Sequence, residues 1–228
     1  SEKFEDKNIF IFKSSERVSS VLYFISTISF GSTIAFTLNI LNRTIDANFS
    51  EEISILIVSF SVFVYSLILY IRTSLIFQHI ALFYTSIFFL GSLGNLIFPN
   101  IEPWSGGLFL VATGLIWGLY TLNDKLGPSW LGYLLSTSTM SIGFIILIDD
   151  LLSSNDIFQI ILLISGSIIF VWASIQLSEQ VIFYIGGLGL IINLPRLITE
   201  LLPDNIWPPL ILFLVGGVLV AVGLYLNS

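Results

Sequence analysis

Few side chains in this sequence have the types needed for catalysis, and their spacing scatters them. His79 is the single histidine among 228 residues, and the polar neighbours flanking it, Arg72 and Gln78, bring it no carboxylate before Asn95. A metal needs several ligands with support behind them, and a proton relay needs a buried partner. His79 therefore reads as an interfacial or hydrogen-bonded histidine. Asp149 and Asp150, with Asp156 close behind, resemble a carboxylate pair for acid–base work. They close one apolar stretch and lead into the link Leu151 to Asn155, where a solvated loop is expected. The chain has no cysteine, which excludes disulfides, thiolate metal centres and a thiol nucleophile. A G-x-S-x-G element and a phosphate-binding glycine loop are also missing, so no nucleophile comes with a base. The expectation is a protein without catalytic site, metal or cofactor.

The elements that must position these residues follow from charge spacing. Apolar residues make up 55% of the chain and charged ones 10%, against about a quarter charged in a soluble domain. The eight basic and fifteen acidic residues gather in short clusters between apolar stretches at about 18–41, 53–71, 75–98, 107–122, 130–148, 157–177, 181–194 and 206–226. About 20 helical residues cross a hydrocarbon core of roughly 30 Å. The expected fold class is all-α, a polytopic transmembrane helical bundle of eight spans. Seven remain if 181–194, which is followed by Pro195 and Arg196, is re-entrant or lies on the surface. Residues 1–17 are expected as a polar cytoplasmic tail and 18–226 as one transmembrane domain. The stretch 18–41 is longer than the apolar region of a secretory signal, so it reads as an uncleaved first span.

Basic residues set the orientation. With eight spans, Lys3, Lys7, Lys13, Arg17, Arg72 and Lys125 share the side of the N-terminus, and Arg43 and Arg196 take the other. Both termini are expected in the cytoplasm. The far face then collects Asp46, Glu51, Glu52, Glu102, Asp149, Asp150, Asp156, Glu200 and Asp204, as translocated loops tolerate. A net charge of -7 with no basic cluster excludes a nucleic-acid partner. The expected partners are the lipid bilayer and a membrane protein. Trp104, Trp130 and Trp207 fall at expected span ends, where indoles anchor depth.

Small residues are the candidates for specific packing. Gly114 and Gly118 form a G-x-x-x-G pair, Gly91 and Gly94 lie one turn apart, and Gly186, Gly187 and Gly189 flatten the seventh span. Lipid gives little hydrophobic reward for helix association, so close backbone approach must supply the contact. The fifth span carries Ser136, Thr137, Ser138, Thr139 and Ser141 in one run, and the sixth carries Ser165 and Ser167 around Gly166. Such hydroxyls either bond back to their own helix or line a polar path. Stronger polar groups at depth are Gln78, His79, Asn95, Gln159, Gln176 and Asn193. Most lie within two turns of a span end, from which headgroups are in reach. Arg196 and Glu200 share a helix face in a segment expected to connect spans at the outer surface.

Two resemblances bear on function. The run from Gly106 and Gly107 through Gly114, Trp117 and Gly118 to Tyr120 resembles the span-opening motif of the drug/metabolite transporter (EamA-type) superfamily, over under a tenth of the chain. That resemblance implies ten spans in two repeats, which this chain does not show. The C-terminal fifth has Pro195-Arg196, Pro203-Asp204, Trp207-Pro208-Pro209 and the glycines from Gly216 and Gly217 to Gly223. It is similar to the ends of uncharacterised bacterial polytopic proteins of the DUF2157 type, which implies a bacterial cytoplasmic membrane and no known activity. Two functions are expected from different classes. One is a non-catalytic module serving as scaffold, accessory subunit or sensor. The other is a carrier of a small, weakly polar solute, with His79, Gln78, Ser138, Ser141 and Asn193 lining its path.

Overall fold

The computed structural model describes residues 14–44, 50–98, 102–152, 156–201 and 207–226. Among them all regular secondary structure is helical: α1 (Ser14–Thr44), α2 (Glu51–Thr73), α3 (Ile76–Ile97), α4 (Pro103–Leu122), α5 (Ser129–Leu151), α6 (Asp156–Leu177), α7 (Gln180–Leu201) and α8 (Trp207–Leu226). The first seven contain stretches long and apolar enough to cross a membrane, from Val18–Asn42 to Gln180–Glu200, and α8 contributes the shorter apolar stretch Val215–Tyr225. In lipid every backbone N–H and C=O must be satisfied within the segment, which helices of this length achieve. The molecule is thus a multi-pass helical membrane protein. Most of the expected polar tail, residues 1–13, lies outside the described residues.

Local chemistry fixes the helix ends. Ser50 caps α2, its hydroxyl accepting from the Ile53 N–H at 3.4 Å, with Glu51 and Glu52 in the first turn and Arg72 in the last. That charge order suits the helix dipole. Pro103 occupies the first position of α4, where no N–H is required. The second N–H of that helix, on Trp104, donates to Asp150 Oδ2 at 2.9 Å from the end of α5. Asp149 and Asp150 lie in the last turn of α5 and not in a loop, and the exposed Asp150 caps the neighbouring helix. Ser178, with φ of 53°, and Glu179 turn the chain tightly between α6 and α7.

The doubtful segment 181–194 is part of one continuous helix, which runs through Pro195 to Leu201. Arg196 and Glu200 therefore belong to the last turns of α7, and no separate connecting helix exists there. Proline removes one backbone bond, a loss that membrane helices tolerate when nearby groups reorganise. The Thr199 hydroxyl donates to the carbonyls of Pro195 and Arg196, at 3.1 and 2.8 Å.

The helices fall into two compact units divided at Pro99–Asn100. In the first, α1 and α3 run parallel and α2 opposes them. Ser26 of α1 meets Tyr65 of α2 at 3.2 Å between hydroxyls, and Phe30 stacks on the same ring at 4.5 Å between centroids. Phe63 stacks on Phe89 at 5.4 Å, and the Ser59 and Ser92 hydroxyls bond at 2.6 Å. In the second unit α4 packs on α5, the most buried of the seven spans, and α6 packs on α7 around Ile160, Ile164 and Leu190.

Candidate functional site

The most polar buried layer lies in the first unit, where the start of α1, the end of α2 and the start of α3 meet at one level. Gln78 and His79 are the third and fourth residues of α3, with exposures of 1% and 0%. The headgroup reach expected for them does not occur. The Gln78 amide turns inward to α1, where its Nε2 donates to the Ser20 carbonyl at 3.1 Å and its Oε1 accepts from the Ser20 hydroxyl at 3.4 Å. This reciprocal pair engages both ends of the buried amide, as burial in an apolar medium demands. His79 packs its ring against Tyr70 of α2, 5.5 Å between centroids and tilted by 55°. Arg72, two residues beyond Tyr70, is exposed.

Deeper in the same unit, Ser66 is 1% exposed and its hydroxyl has no hydrogen-bond partner. Most other span hydroxyls bond back one turn, such as Ser61 to Ile57 at 2.7 Å and Ser86 to Phe83 at 2.7 Å.

In the second unit the small residues bring backbones together. A β-carbon on Gly114 would lie 2.7 Å from the Ser136 carbonyl oxygen, and one on Gly118 would lie 2.7 Å from the Ser136 hydroxyl. That hydroxyl donates to the Gly114 carbonyl at 2.7 Å. Gly107 and Gly143 face each other's backbones in the same way, at 2.7 and 2.6 Å from the opposing carbonyl oxygens. On the other pair, a β-carbon on Gly186 would lie 2.9 Å from the Ser167 carbonyl oxygen and one on Gly189 would strike the Ser167 side chain, whereas one on Gly187 would meet Leu219 of α8 at an ordinary 3.7 Å.

The five solute-lining candidates divide between the two units. Gln78 and His79 share the layer just described. Ser138 and Ser141 are only partly buried, and the more enclosed members of that run are Ser136, Thr137 and Thr139. Asn193 is 8% exposed but its Nδ2 donates to the Gly189 carbonyl of its own helix at 2.8 Å. Of the other polar groups, Asn95 and Gln176 are exposed, and Gln159 donates to the Leu152 carbonyl at 2.9 Å. Ser20, Tyr70 and Gly143 complete these contacts without a signal of their own in the sequence, and Gly107 stands out there only as part of a span-opening run. Their only signal is register across helices, which no single helix displays.

A groove of about 190 Å³ runs between the α4–α5 and α6–α7 pairs, with Leu115, Gly118, Tyr133, Met140, Phe170 and Ala173 among its walls. A second, of about 360 Å³, lies at mid-span between α6, α7 and α8 and is wholly aliphatic, with Ile168, Leu190 and Val218 among its walls. None of the five candidates lines either groove. Among the described residues, no three His, Asp or Glu gather as a metal would require. Compared with protein-family models, with curated proteins and with solved structures, the chain matches none.

Proposed function

We propose that this multi-pass protein is a non-catalytic membrane module, acting as a scaffold, accessory subunit or sensor in a bacterial cytoplasmic membrane with both termini inside. One observation carries the reading: most polar groups buried at membrane depth are spent on hydrogen bonds between helices or back to their own backbone. Gln78 closes on Ser20, Ser136 on Gly114, Ser59 on Ser92, and Asn193 on its own backbone. A carrier keeps such groups facing a cavity near the midplane, where solute replaces water. The grooves of the second unit offer hydrocarbon there instead.

Purification from native membranes in mild detergent, followed by mass spectrometry, tests the proposal. A membrane protein retained at fixed stoichiometry is the expected result. Recovery of the chain alone with a water-soluble small molecule would point to the carrier and overturn it. A reporter fused to the C-terminus should remain cytoplasmic, and an exported reporter would break the eight-span orientation.

A further inference from the structure

The α1–α3 unit buries hydroxyls where three helices meet. The buried residues of α2 are Ser59, Ser66 and Tyr70, and those of α1 include Ser20 and Thr27. Contacts along the helices set their register. The Ser26–Tyr65 bond and the approach of Gly31 to Val62 bring Thr27 of α1 to the level of Ser66. On α3, the Phe63–Phe89 and Tyr70–His79 ring pairs bracket that level and bring Ser86 to it within one turn. Thr27, Ser66 and Ser86 are 4%, 1% and 7% exposed. Ser66 stands seven residues before the end of α2, about 10 Å at 1.5 Å per residue, which is inside the hydrocarbon core.

Counting donors shows what these three hydroxyls lack. Thr27 donates to the Tyr23 carbonyl at 3.1 Å and Ser86 to the Phe83 carbonyl at 2.7 Å, so both have spent their hydrogen and keep a lone pair. Ser66 keeps its hydrogen, with no partner among the described residues. In hydrocarbon such an unspent buried donor is costly.

We propose that the α1–α3 unit binds one ordered water molecule at this level, which accepts from the Ser66 hydroxyl and donates its two hydrogens to the oxygens of Thr27 and Ser86. Three partners are the usual complement of a buried water. Helix separation provides the space. Further along the same seam the Ser59 and Ser92 hydroxyls bond directly at 2.6 Å, whereas Ser66 does not reach Ser86. Ring pairs on either side of Ser66, with centroids 5.4 and 5.5 Å apart, hold α2 off α3, and a serine is too short to cross. A cation does not fit, because the acids of α1–α3 are Glu16, Glu51 and Glu52, all in first turns far from this level.

The direct test is a structure of the full chain in a lipid mesophase at a resolution that shows ordered water. Density within hydrogen-bonding reach of the Thr27, Ser66 and Ser86 oxygens is expected. A Ser66 hydroxyl bonded to the Val62 carbonyl or directly to Ser86, with no density between the helices, would overturn the proposal. An independent arm reads stability by SDS titration from mild detergent micelles. Ser66→Ala and Ser86→Ala should each lower the folded-to-unfolded ratio about fivefold. The double variant should fall no further than about fivefold, since the bonds belong to one water. Losses that multiply to about 25-fold, or a Ser66→Ala protein as stable as the parent, would count against the water and overturn it. Exchanging sodium for choline should change nothing, and a stability that follows sodium would assign a cation instead.

Discussion

Gly91 and Gly114 sit in α3 and α4, helices of 22 and 20 residues. A methyl group added to Gly114 would strike the Ser136 carbonyl oxygen at 2.7 Å, while one added to Gly91 would meet nothing within 4 Å. The contrast extends to the units around them. The α4–α5 pair is joined backbone to backbone through Gly107, Gly114 and Gly143, and the opposing backbone atoms of each contact cannot turn aside. The α1–α3 unit is joined through side chains: Ser20 with Gln78, Ser26 with Tyr65, Ser59 with Ser92, and rings on rings. A β-carbon on its Gly31 would lie 2.9 Å from the end of the Val62 side chain, which can turn away. Both arrangements replace the hydrophobic drive that lipid withholds, one by van der Waals contact and the other by polar and aromatic pairing. The first should be strong and brittle, and the second weaker and more forgiving.

Substitution can break that contrast. Gly114→Val should be the most damaging, because the added groups press on the Ser136 backbone and the Met140 side chain. A loss of about 3 kcal/mol, near the upper end for overpacking, is expected in unfolding by added SDS from mild detergent micelles. A loss below about 0.5 kcal/mol would show that the pair separates easily and would end the brittle reading.

Gln78→Ala should come next, at about 1 kcal/mol, since interhelical bonds in lipid are worth about 0.6 on average and seldom exceed 1.7. Solute passage plays no part in this expectation, so the variant should still pack as a three-helix unit, checked by cysteine crosslinking introduced at Ser26 and Tyr65. Loss of that crosslink would mean that the Gln78 layer organises the whole unit.

Gly91→Ala should be smallest, neutral or stabilising by up to about 1 kcal/mol through helix propensity alone. Clear destabilisation in the same SDS titration would show that the exposed face of α3 is covered by a partner in the membrane.

Much of this architecture is legible in the chain before folding. The stretch at 130–148 becomes α5 within three residues at either end, and 157–177 becomes α6 within one. Both follow from charges and apolar length. The segment 181–194 was ambiguous for a physical reason: Pro195 and Arg196 look like an end, but a membrane helix tolerates a missing N–H and continues to Leu201. Gly114 and Gly118 carry a spacing visible in one helix. Gly107 and Gly143 do not, because each acquires meaning only from the other. The residues beside His79 in sequence do not disclose its ring contact with Tyr70, which comes from the preceding span.

The sequence by itself determined the medium and the elements, since the length of an apolar run between charges is a property of one segment facing lipid. It also determined that thiol chemistry is impossible. Only the tertiary structure decided the use of the polar residues, whether Gln78 lined a path or sealed a contact and whether Asp150 capped α4. Those outcomes depend on which helix lies opposite and at what height. That register comes from contacts between segments far apart in the chain, and no local pattern records it.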